Sequence, residues 1–134
     1  MQEFRGRAAE GGTTTEFTLD NRLAGCPLNV NEEIHVLQVV REALSNVARH
    51  ARATRAGIAL RCEHGTAIVT VDDDGIGYTP AADGEPHHYG LIIMQERARS
   101  LGGDVRILHR NEGGTRVELR FTPAELRRPS ATGT

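Results

Sequence analysis

Hydrophobic residues recur at helical spacing in two stretches of the chain and predict two amphipathic helices. Asn31 is the predicted N-cap of the first helix, because Glu32 and Glu33 would then lie in its first turn, near the positive end of the helix dipole. We expect this helix to continue to about Ala51. Its inward face is predicted to comprise Ile34, Leu37, Val40, Leu44, Val47, Ala48 and Ala51.

The second predicted helix begins at Gly90, after a polar, turn-rich segment at 78–89 that we expect to be a mobile loop. Gly102 and Gly103 predict the end of this helix. Its inward face is predicted to comprise Leu91, Met94, Ala98 and Leu101.

Alternating hydrophobic and polar residues predict strands around these helices. TEFTLD precedes the first helix, and RAGIALRCE and TAIVTVDD form a hairpin about a turn at His64 and Gly65. After the second helix, DVRILHR and TRVELRFTP flank a turn at NEGG. Hairpins combined with two long helices predict an α+β fold, a two-layer sandwich in which a mixed or antiparallel sheet is covered on one face by helices.

The chain of 134 residues is predicted to form a single domain. Residues 1–13 are polar and rich in Gly and Thr, which predicts an N-terminal linker. The folded domain is expected at 14–122, followed by a disordered C-terminal tail at 123–134.

Composition excludes some function classes without selecting one. The formal net charge is −2, so no overall positive field favours nucleic acid or a membrane surface, and we expect this domain to bind no nucleic acid and to make no direct membrane contact. Cys26 and Cys62 lie in no CxxC motif. We therefore expect two buried free thiols in a reducing compartment.

The stretch VDDDGIGYTP raises the question of which ligand its acids and glycines serve. The chain has no GxxxxGK[ST] phosphate loop, and Pro80 stands at the third glycine position of a GxGxxG motif. A calcium loop built on Gly75 would need ligands where Thr70 and Ala81 stand. The six histidines include no HExxH motif. The stretch therefore fits none of the common phosphate, calcium and zinc motifs.

Three further features each admit two interpretations. Glu42, Asn46 and Arg49 share one face of the first helix, where they would either hold a divalent cation and phosphate oxygens or form a solvated charged face. Backbone amides near Gly90 would either bind an anion at a helix start or serve only as capping geometry. The EGGT segment would be either a site or a plain hairpin turn.

The order of these features resembles a known family. REALSNVARHA, VDDDGIG, HYGLIIMQERARSLGG and GGTRVELRF follow one another as do the motifs of the ATP-binding domain of sensor histidine kinases. The resemblance spans about residues 14–122 and points to the nitrate-sensor-like group, within the wider set that includes gyrase, Hsp90 and MutL. It implies a Bergerat-type fold that binds ATP and Mg²⁺.

The resemblance implies roles for the polar side chains. Asn46 matches the N-box residue whose side-chain oxygen ligates Mg²⁺, and Glu42 matches the acidic residue that orients a water or a proton acceptor near the metal, so these two are the expected catalytic residues. Arg49 and His50 match the basic pair directed toward phosphate. Asp73 matches the aspartate of the DxGxG motif, which accepts a hydrogen bond from the adenine amino group.

The resemblance also assigns the glycines to the nucleotide. Gly75 and Gly77 are the two glycines of DxGxG. Gly90 and Leu91 match the second glycine box, where helix-end amides meet the phosphates after the ATP lid. The last box is matched by Gly113, Gly114 and Thr115, with Thr115 near the adenine.

The other two acids of the stretch have no role in that motif. Strand alternation places Asp72 on the face opposite Asp73, so we expect it to be solvated. Asp74 is expected to occupy the variable position before the glycine turn.

The activity implied by the resemblance is transfer of the ATP γ-phosphate to a histidine on a separate dimerisation domain, and then to a response regulator. The phosphoacceptor segment is missing from this sequence, so we expect an isolated catalytic domain. It would lie in the cytoplasm, alone or as the soluble portion of a membrane-bound sensor.

The alternative is an anti-sigma factor serine kinase of the same fold, which the string HYGLIIMQERA disfavours. A degenerate module that mediates only protein contacts is disfavoured by the intact Asn46, Asp73 and glycine boxes.

Overall fold

The computed structural model describes residues 2–10, 13–47, 54–75, 86–110 and 113–127, which form six strands and two α-helices. In chain order the elements are β1 (Gln2–Glu10), β2 (Thr13–Arg22), α1 (Val30–Asn46), β3 (Arg55–Glu63), β4 (Thr66–Asp73), α2 (Pro86–Ser100), β5 (Asp104–His109) and β6 (Thr115–Phe121), followed by a short 3-10 helix at Ala124–Leu126. None of the described helices is long and apolar enough to cross a membrane.

One mixed sheet contains these strands, in the order β1-β2-β3-β4-β6-β5. β2 and β3 run parallel and are connected through α1, whereas the other neighbouring strands pair antiparallel. The predicted hairpin of β3 and β4, with its turn at His64 and Gly65, is confirmed. The two helices pack side by side against one face of the sheet. This arrangement confirms the predicted α+β two-layer sandwich.

The two faces of the sheet differ in chemistry because side chains alternate along each strand. The face toward the helices carries an aliphatic core. Its buried members include Val36, Val39, Ala43, Met94, Ala98, Leu101, Ile58, Val69, Val71, Val117 and Leu119. The opposite face carries ion pairs between Arg22 and Asp20, Arg61 and Glu63, Arg106 and Asp104, Arg116 and Asp72, and Arg120 and Glu118. A largely antiparallel sheet can leave one face in water in this way.

The N-cap of α1 is Asn29, so the predicted N-cap at Asn31 is wrong. The Asn29 side chain accepts a hydrogen bond from the Glu32 N–H at 2.8 Å, and the Glu32 carboxylate accepts one from the Asn29 N–H at 3.0 Å. This capping box satisfies amide groups that have no partner within the helix. The other carboxylate oxygen of Glu32 accepts a hydrogen bond from the Ala124 N–H at 2.8 Å. One buried side chain therefore joins the helix start to the C-terminal 3-10 helix.

The buried face of α1 also differs from the predicted one. Ile34 and Leu37, predicted to face inward, are 49% and 59% exposed. The buried apolar residues are Val36, Val39, Ala43 and Val47, with Val40 and Leu44 half-buried beside them, while Ala48 and Ala51 lie outside the described residues. Apolar residues occupy so much of the circumference of α1 that their spacing does not select one side. The buried side of α1 is instead determined by α2, which packs along the side that carries His35 and Glu42.

α2 begins at Pro86, four residues before the predicted start at Gly90. Proline suits the first turn of a helix, because its missing N–H would have no intrahelical partner there. Residues 86–89 therefore belong to the helix rather than to the predicted loop, and 78–85 lie outside the described part of the chain. The inward face of α2 is confirmed, with Leu91 half-buried against the core and Met94, Ala98 and Leu101 buried.

The two predicted stop residues end α2 in a Schellman motif. The Gly103 N–H donates to the Ala98 carbonyl at 2.8 Å, and the Gly102 N–H donates to the Arg99 carbonyl at 2.9 Å. Gly102 has a φ of +70°, which a residue with a Cβ adopts at a cost. A Cβ on Gly103 would overlap the backbone of Arg120, so this glycine also lets the helix end approach β6.

Both ends of the chain depart from the expected linker and tail. Residues 1–13 were expected to be a linker, but Gln2–Glu10 pairs with β2 as an edge strand and supplies β2 with backbone partners. At the other end, Pro123 is buried and the 3-10 helix follows it, so the fold extends to residue 127. The remainder of the predicted tail, 128–134, lies outside the described residues. The described elements thus reach beyond 14–122 at both ends, and the division of the chain into linker, domain and tail stays a prediction.

Cys26 and Cys62 form a disulfide, so the predicted pair of free thiols is wrong. Cys26 is buried in the loop between β2 and α1, and Cys62 lies near the end of β3. Their Cα atoms are 5.7 Å apart, within the usual range for a disulfide. The parallel pairing of β2 with β3 brings together two residues that are 36 positions apart in the chain, and their spacing alone carries no sign of it.

Replacing Glu32 by Ala is expected to lower the free energy of unfolding by about 2–3 kcal/mol, because the N–H groups of Asn29 and Ala124 would lose a shared acceptor. Urea titration followed by circular dichroism measures this change. Glu33→Ala is the matched control, since Glu33 lies in the same helical turn but is exposed. We expect the control to change stability by less than about 0.5 kcal/mol. Equal losses in the two variants would contradict the role given to Glu32.

Candidate functional site

Asp73 is the last residue of β4, and its side chain is buried on the face toward the helices, with 5% of the residue exposed. Its register partners are Ala56 of β3 and Thr115 of β6. The carboxylate accepts a hydrogen bond from the Gly75 N–H at 2.8 Å and another from the Thr115 N–H. A carboxylate offers about four acceptor positions, so Asp73 can accept a further hydrogen bond from a ligand.

Burial raises the pKa of Asp73 above its ordinary value of 3.8 and outweighs the hydrogen bonds from Gly75 and Thr115, which lower it. A carboxyl group whose pKa is raised on folding holds its proton more tightly in the native state. Its contribution to stability is therefore present in acid and declines as the pH rises from 3.8 through the folded pKa. Above its folded pKa, the ionised Asp73 costs stability, and a carboxylate perturbed in this way is typical of functional sites.

The turn between β5 and β6 lies against Asp73. Gly114 is buried with a φ of +96°, and a Cβ there would overlap the Asp73 carbonyl oxygen. Its neighbour Gly113 also has a positive φ, +100°, but a Cβ there would meet no atom of the described residues within 4 Å. Glycine is therefore needed at 114, because the start of β6 passes directly against the end of β4. Among the described residues of the EGGT segment, Gly113 and Gly114 belong to the turn that leads into β6, and Gly114 also borders the end of β4 at Asp73.

Two buried side-chain oxygens have no hydrogen-bond partner among the described residues, Oδ1 of Asn46 and Oγ1 of Thr115. Buried polar atoms are nearly always paired with protein or water, and leaving one unpaired costs about 1–3 kcal/mol. Each oxygen is therefore a position where a ligand or a water molecule would complete the hydrogen bonding.

Glu42 and Asn46 lie on the side of α1 that faces α2, where Gly90 packs against them. A Cβ on Gly90 would lie 3.1 Å from Oε1 of Glu42 and 3.6 Å from Oδ1 of Asn46. Both polar residues are half-buried, so they do not form the solvated face that was one of the two interpretations. Gly90 is buried inside α2 rather than at its start, so the expected anion site at a helix N-terminus is not located at Gly90. The missing side chain instead leaves room for the two polar groups.

The end of α1 and the end of β4 lie close together. Val47, which follows Asn46, packs with Ala56 and Phe17. Ala56 is in turn the register partner of Asp73. The polar groups of α1 and those of β4 and β6 therefore border one end of the sandwich, between the helices and the sheet.

Other predicted site residues are only partly described. Arg49, His50 and Gly77 lie outside the described residues, and their roles stay predictions. Gly75 is described through its hydrogen bond to Asp73. Leu91 follows Gly90 and packs against the main core.

Asp72 ties β4 to β6 on the opposite face of the sheet, as strand alternation predicts. It is not simply solvated, however, because it forms a bidentate ion pair with Arg116, with distances of 2.7 and 2.8 Å between nitrogen and oxygen. Bidentate arginine–carboxylate pairs are the geometrically most specific ion pairs. The partner is 44 positions away in the chain, so spacing gave no signal for it.

Asp74 ties β4 to the residues that open β3. Its carboxylate accepts hydrogen bonds from the N–H groups of Thr54 and Arg55, both at 2.9 Å, and from the Thr54 hydroxyl at 2.7 Å. Partial burial acts to raise the pKa of Asp74, but these hydrogen bonds prevail and lower it below 3.8. The residue expected to occupy a variable position thus fixes the backbone beside Asp73.

A family model for histidine kinase-, DNA gyrase B-, and HSP90-like ATPases matches residues 31–125. The chain belongs to this family. As a member of an ATPase family it is an ATP-binding domain, and the family predicted from the order of the motifs is confirmed. The match spans α1, the acidic end of β4, α2 and β6.

Several sensor proteins contain a segment similar to this ATPase-family chain. It is 39% identical over 105 residues to the nitrate/nitrite sensor protein NarX of Escherichia coli (strain K12), covering 78% of this chain and 17% of NarX. It is 38% identical over 114 residues to the nitrate/nitrite sensor protein NarQ of the same organism, covering 84% and 20%. The sensor histidine kinase LnrJ of Bacillus subtilis (strain 168) is 34% identical over 113 residues, covering 84% and 27%. The chain thus spans only 17% to 27% of the length of these relatives.

Solved structures share the fold of this ATPase-family chain. The Erythrobacter litoralis EL346 blue-light activated histidine kinase superposes with a TM-score of 0.62 at 22% identity, over 80% of this chain and 35% of that one. The ATP binding domain of PrrB from Mycobacterium tuberculosis superposes with a TM-score of 0.55 at 23% identity, over 67% and 68%. At these identities the likeness concerns the fold alone.

Replacing Gly114 by Ala is expected to lower the free energy of unfolding by about 1–3 kcal/mol more than replacing Gly113 by Ala. Both positions have a positive φ, so the strain of a Cβ in that conformation is common to the two variants. The difference isolates the overlap with the Asp73 carbonyl. Guanidinium titration of the two variants measures it, and indistinguishable midpoints would contradict the close approach of β6 to β4.

Proposed function

We propose that this chain is the catalytic domain of a two-component sensor histidine kinase. It binds ATP with Mg²⁺ and donates the γ-phosphate to a histidine on a separate dimerisation domain, from which the phosphate passes to a response regulator. The observation that carries the proposal is the pair of buried oxygens of Asn46 and Thr115, unpaired within the described residues, at the same end of the sandwich as the buried carboxylate of Asp73. In an ATPase-family domain, a nucleotide and its cation are the groups that would satisfy them.

The base is assigned to the ends of β4 and β6. Asp73 accepts a hydrogen bond from the adenine amino group, and Thr115 lies on the adenine side of the nucleotide. Adenine presents an amino donor where guanine presents a carbonyl acceptor, so a carboxylate acceptor selects adenine and repels guanine. Gly75, Gly77 and Gly114 let the backbone approach the nucleotide without side-chain clashes.

The phosphates and the cation are assigned to the α1 side of the site. Mg²⁺ takes few protein ligands and keeps several waters, so one carboxamide oxygen is a sufficient protein contribution beside phosphate oxygens. The buried, unpaired Oδ1 of Asn46 fits that requirement. Arg49 and His50 are assigned to the phosphates by the family resemblance, whereas Gly90 contributes by leaving room for Glu42 and Asn46. Magnesium, when bound, would supply neutralisation of the phosphate charge.

Phosphoryl transfer requires positioning and charge neutralisation more than a nucleophile from this domain. The attacking atom belongs to the histidine of the phosphoacceptor domain. Glu42 is assigned to orient a water molecule or the proton acceptor, since Glu42 and Asn46 both lie against Gly90. The sensor proteins NarX, NarQ and LnrJ, which share this domain, support a histidine acceptor over the serine of an anti-sigma factor kinase.

ATP affinity is expected to respond differently to two substitutions, measured by calorimetry with and without Mg²⁺. Asp73→Asn should weaken ATP binding about 10- to 100-fold in either condition, because an NH2 donor replaces one of the two oxygens that accept from the adenine amino group and from the backbone N–H groups. Asn46→Ala should remove the gain in affinity that Mg²⁺ confers and leave metal-free binding within about twofold. Equal ATP affinity in wild type and Asp73→Asn, or tighter binding of GTP than ATP, would overturn the assignment of Asp73.

Transfer from radiolabelled ATP is expected to label an added phosphoacceptor domain of the nitrate-sensor type on histidine. The label should be acid-labile and base-stable, as phosphohistidine is, and the chain alone should remain unlabelled. Asn46→Ala is the negative control for the transfer step. An acid-stable phosphoserine on an added sigma-factor regulator, with no label on the phosphoacceptor domain, would favour the serine kinase instead.

A further inference from the structure

Arg110 makes a contact with the site that the family motifs do not include. Its Nη1 donates a hydrogen bond to the main-chain carbonyl oxygen of Asp73 at 2.8 Å. Asp73 is the last residue of β4, where the ladder of strand hydrogen bonds ends, so this carbonyl is held by a side chain. The two residues are 37 positions apart, and the contact crosses from the end of β5 to the end of β4.

The main chain of Arg110 also closes the turn that leads into β6. The Arg110 N–H donates to the Gly114 carbonyl at 3.1 Å, and the Gly113 N–H donates to the Arg110 carbonyl at 3.0 Å. Thr115 follows this turn and donates its own N–H to the Asp73 carboxylate. Arg110 thus contacts the two segments that carry the proposed adenine-binding groups, one through its side chain and the other through its backbone.

The Arg110 side chain approaches Asp73 from outside the helix layer. Together with Glu16, Arg55, Asp72 and Asp74 it lines an open cavity of about 370 Å³. Asp72 and Asp74 point away from the buried Asp73 side chain and anchor β4 to its two neighbours. The guanidinium is therefore part of a polar support behind the acidic strand end, while the Asp73 side chain projects to the opposite, helix-covered face.

We propose that Arg110 is a positioning residue for base recognition, which sets the Asp73 carboxylate against Thr115 and thereby maintains the preference for adenine over guanine. This inference rests on the proposed function. A displacement of about 1 Å at the Asp73 carbonyl would carry the attached carboxylate out of line with a ligand amino group. Such a shift weakens ATP binding and leaves GTP, which gains nothing from that carboxylate, almost unaffected.

The positive charge of Arg110 also favours recognition of adenine by Asp73. Burial raises the pKa of Asp73, and the positive charge of Arg110 is among the influences that lower it again. Only the ionised carboxylate is an acceptor at every lone pair, so a cation behind the strand end preserves the form that receives the amino group.

The test compares Arg110→Met with Arg106→Met in two backgrounds, wild type and Asp73→Asn, with ATP and GTP affinities measured by calorimetry. Methionine keeps an unbranched stem but removes the donor and the charge. Arg106 is the matched control because it stands on β5 and pairs with Asp104 with 69% of its side chain exposed. Thermal unfolding of each variant separates positioning from loss of the fold.

We expect Arg110→Met to weaken ATP binding about tenfold in the wild-type background, the size of one lost, partly buried hydrogen bond, with GTP affinity unchanged within about twofold. In the Asp73→Asn background the same substitution should change ATP affinity by less than about twofold, because its effect passes through the carboxylate. Arg110→Lys keeps a charge and a donor and should retain most of the ATP affinity. Arg106→Met should behave as wild type.

Three results would overturn the inference. Arg110→Met could match Arg106→Met, it could weaken ATP binding equally in both backgrounds, or Arg110→Lys could be as weak as Arg110→Met. Each of these leaves ATP binding and its dependence on Asp73 intact, so the proposed function survives. Failure of the wild-type domain to bind ATP, or equal affinity in Asp73→Asn, would instead overturn the proposed function and this inference together.

Discussion

The burial of the Asp73 carboxylate at the end of β4 is the constraint on which the site depends. The ionised form costs stability in this position, because burial raises the pKa of Asp73. The backbone around it offsets part of that cost, with N–H groups of Gly75 and Thr115 directed at the carboxylate. Gly114 makes this possible, since any Cβ there would push β6 away from β4. Keeping a charged acceptor where an apolar side chain would be more stable is the trade-off expected of a binding residue.

The three consecutive aspartates illustrate how one strand end serves several purposes. Alternation sends Asp73 to the helix side and Asp72 to the other face, where it pairs with Arg116. Asp74, just beyond the strand, holds the residues that open β3. Ion pairs and hydrogen bonds that water can reach contribute little stability individually, so the value of these contacts lies in geometry. They fix the backbone on both sides of the one carboxylate that faces the proposed nucleotide.

The α1 side of the site depends on a close contact between helices. Gly90 brings α2 against Glu42 and Asn46, which buries the Asn46 oxygen without giving it a partner among the described residues. The other end of α1 is anchored by Glu32, which joins the N-cap residue Asn29 to the Ala124 N–H. Asn29 and Asn31 are both suitable N-cap residues by type. Asn29 is the N-cap in the structure, and its partner Glu32 also accepts a hydrogen bond from the distant Ala124 N–H.

The sequence by itself determined the features that arise within a few residues of one another. Strand alternation separated Asp73 from Asp72, paired glycines marked the end of α2, and the order of the motifs identified the ATPase family. Only the tertiary structure decided which side of α1 is buried, that Cys26 meets Cys62, and that Arg110 holds the Asp73 carbonyl. The physical reason is that periodicity and turn chemistry are local, whereas these contacts join elements far apart in the chain. Their partners are chosen by how helices and strands pack, which spacing along one chain does not encode.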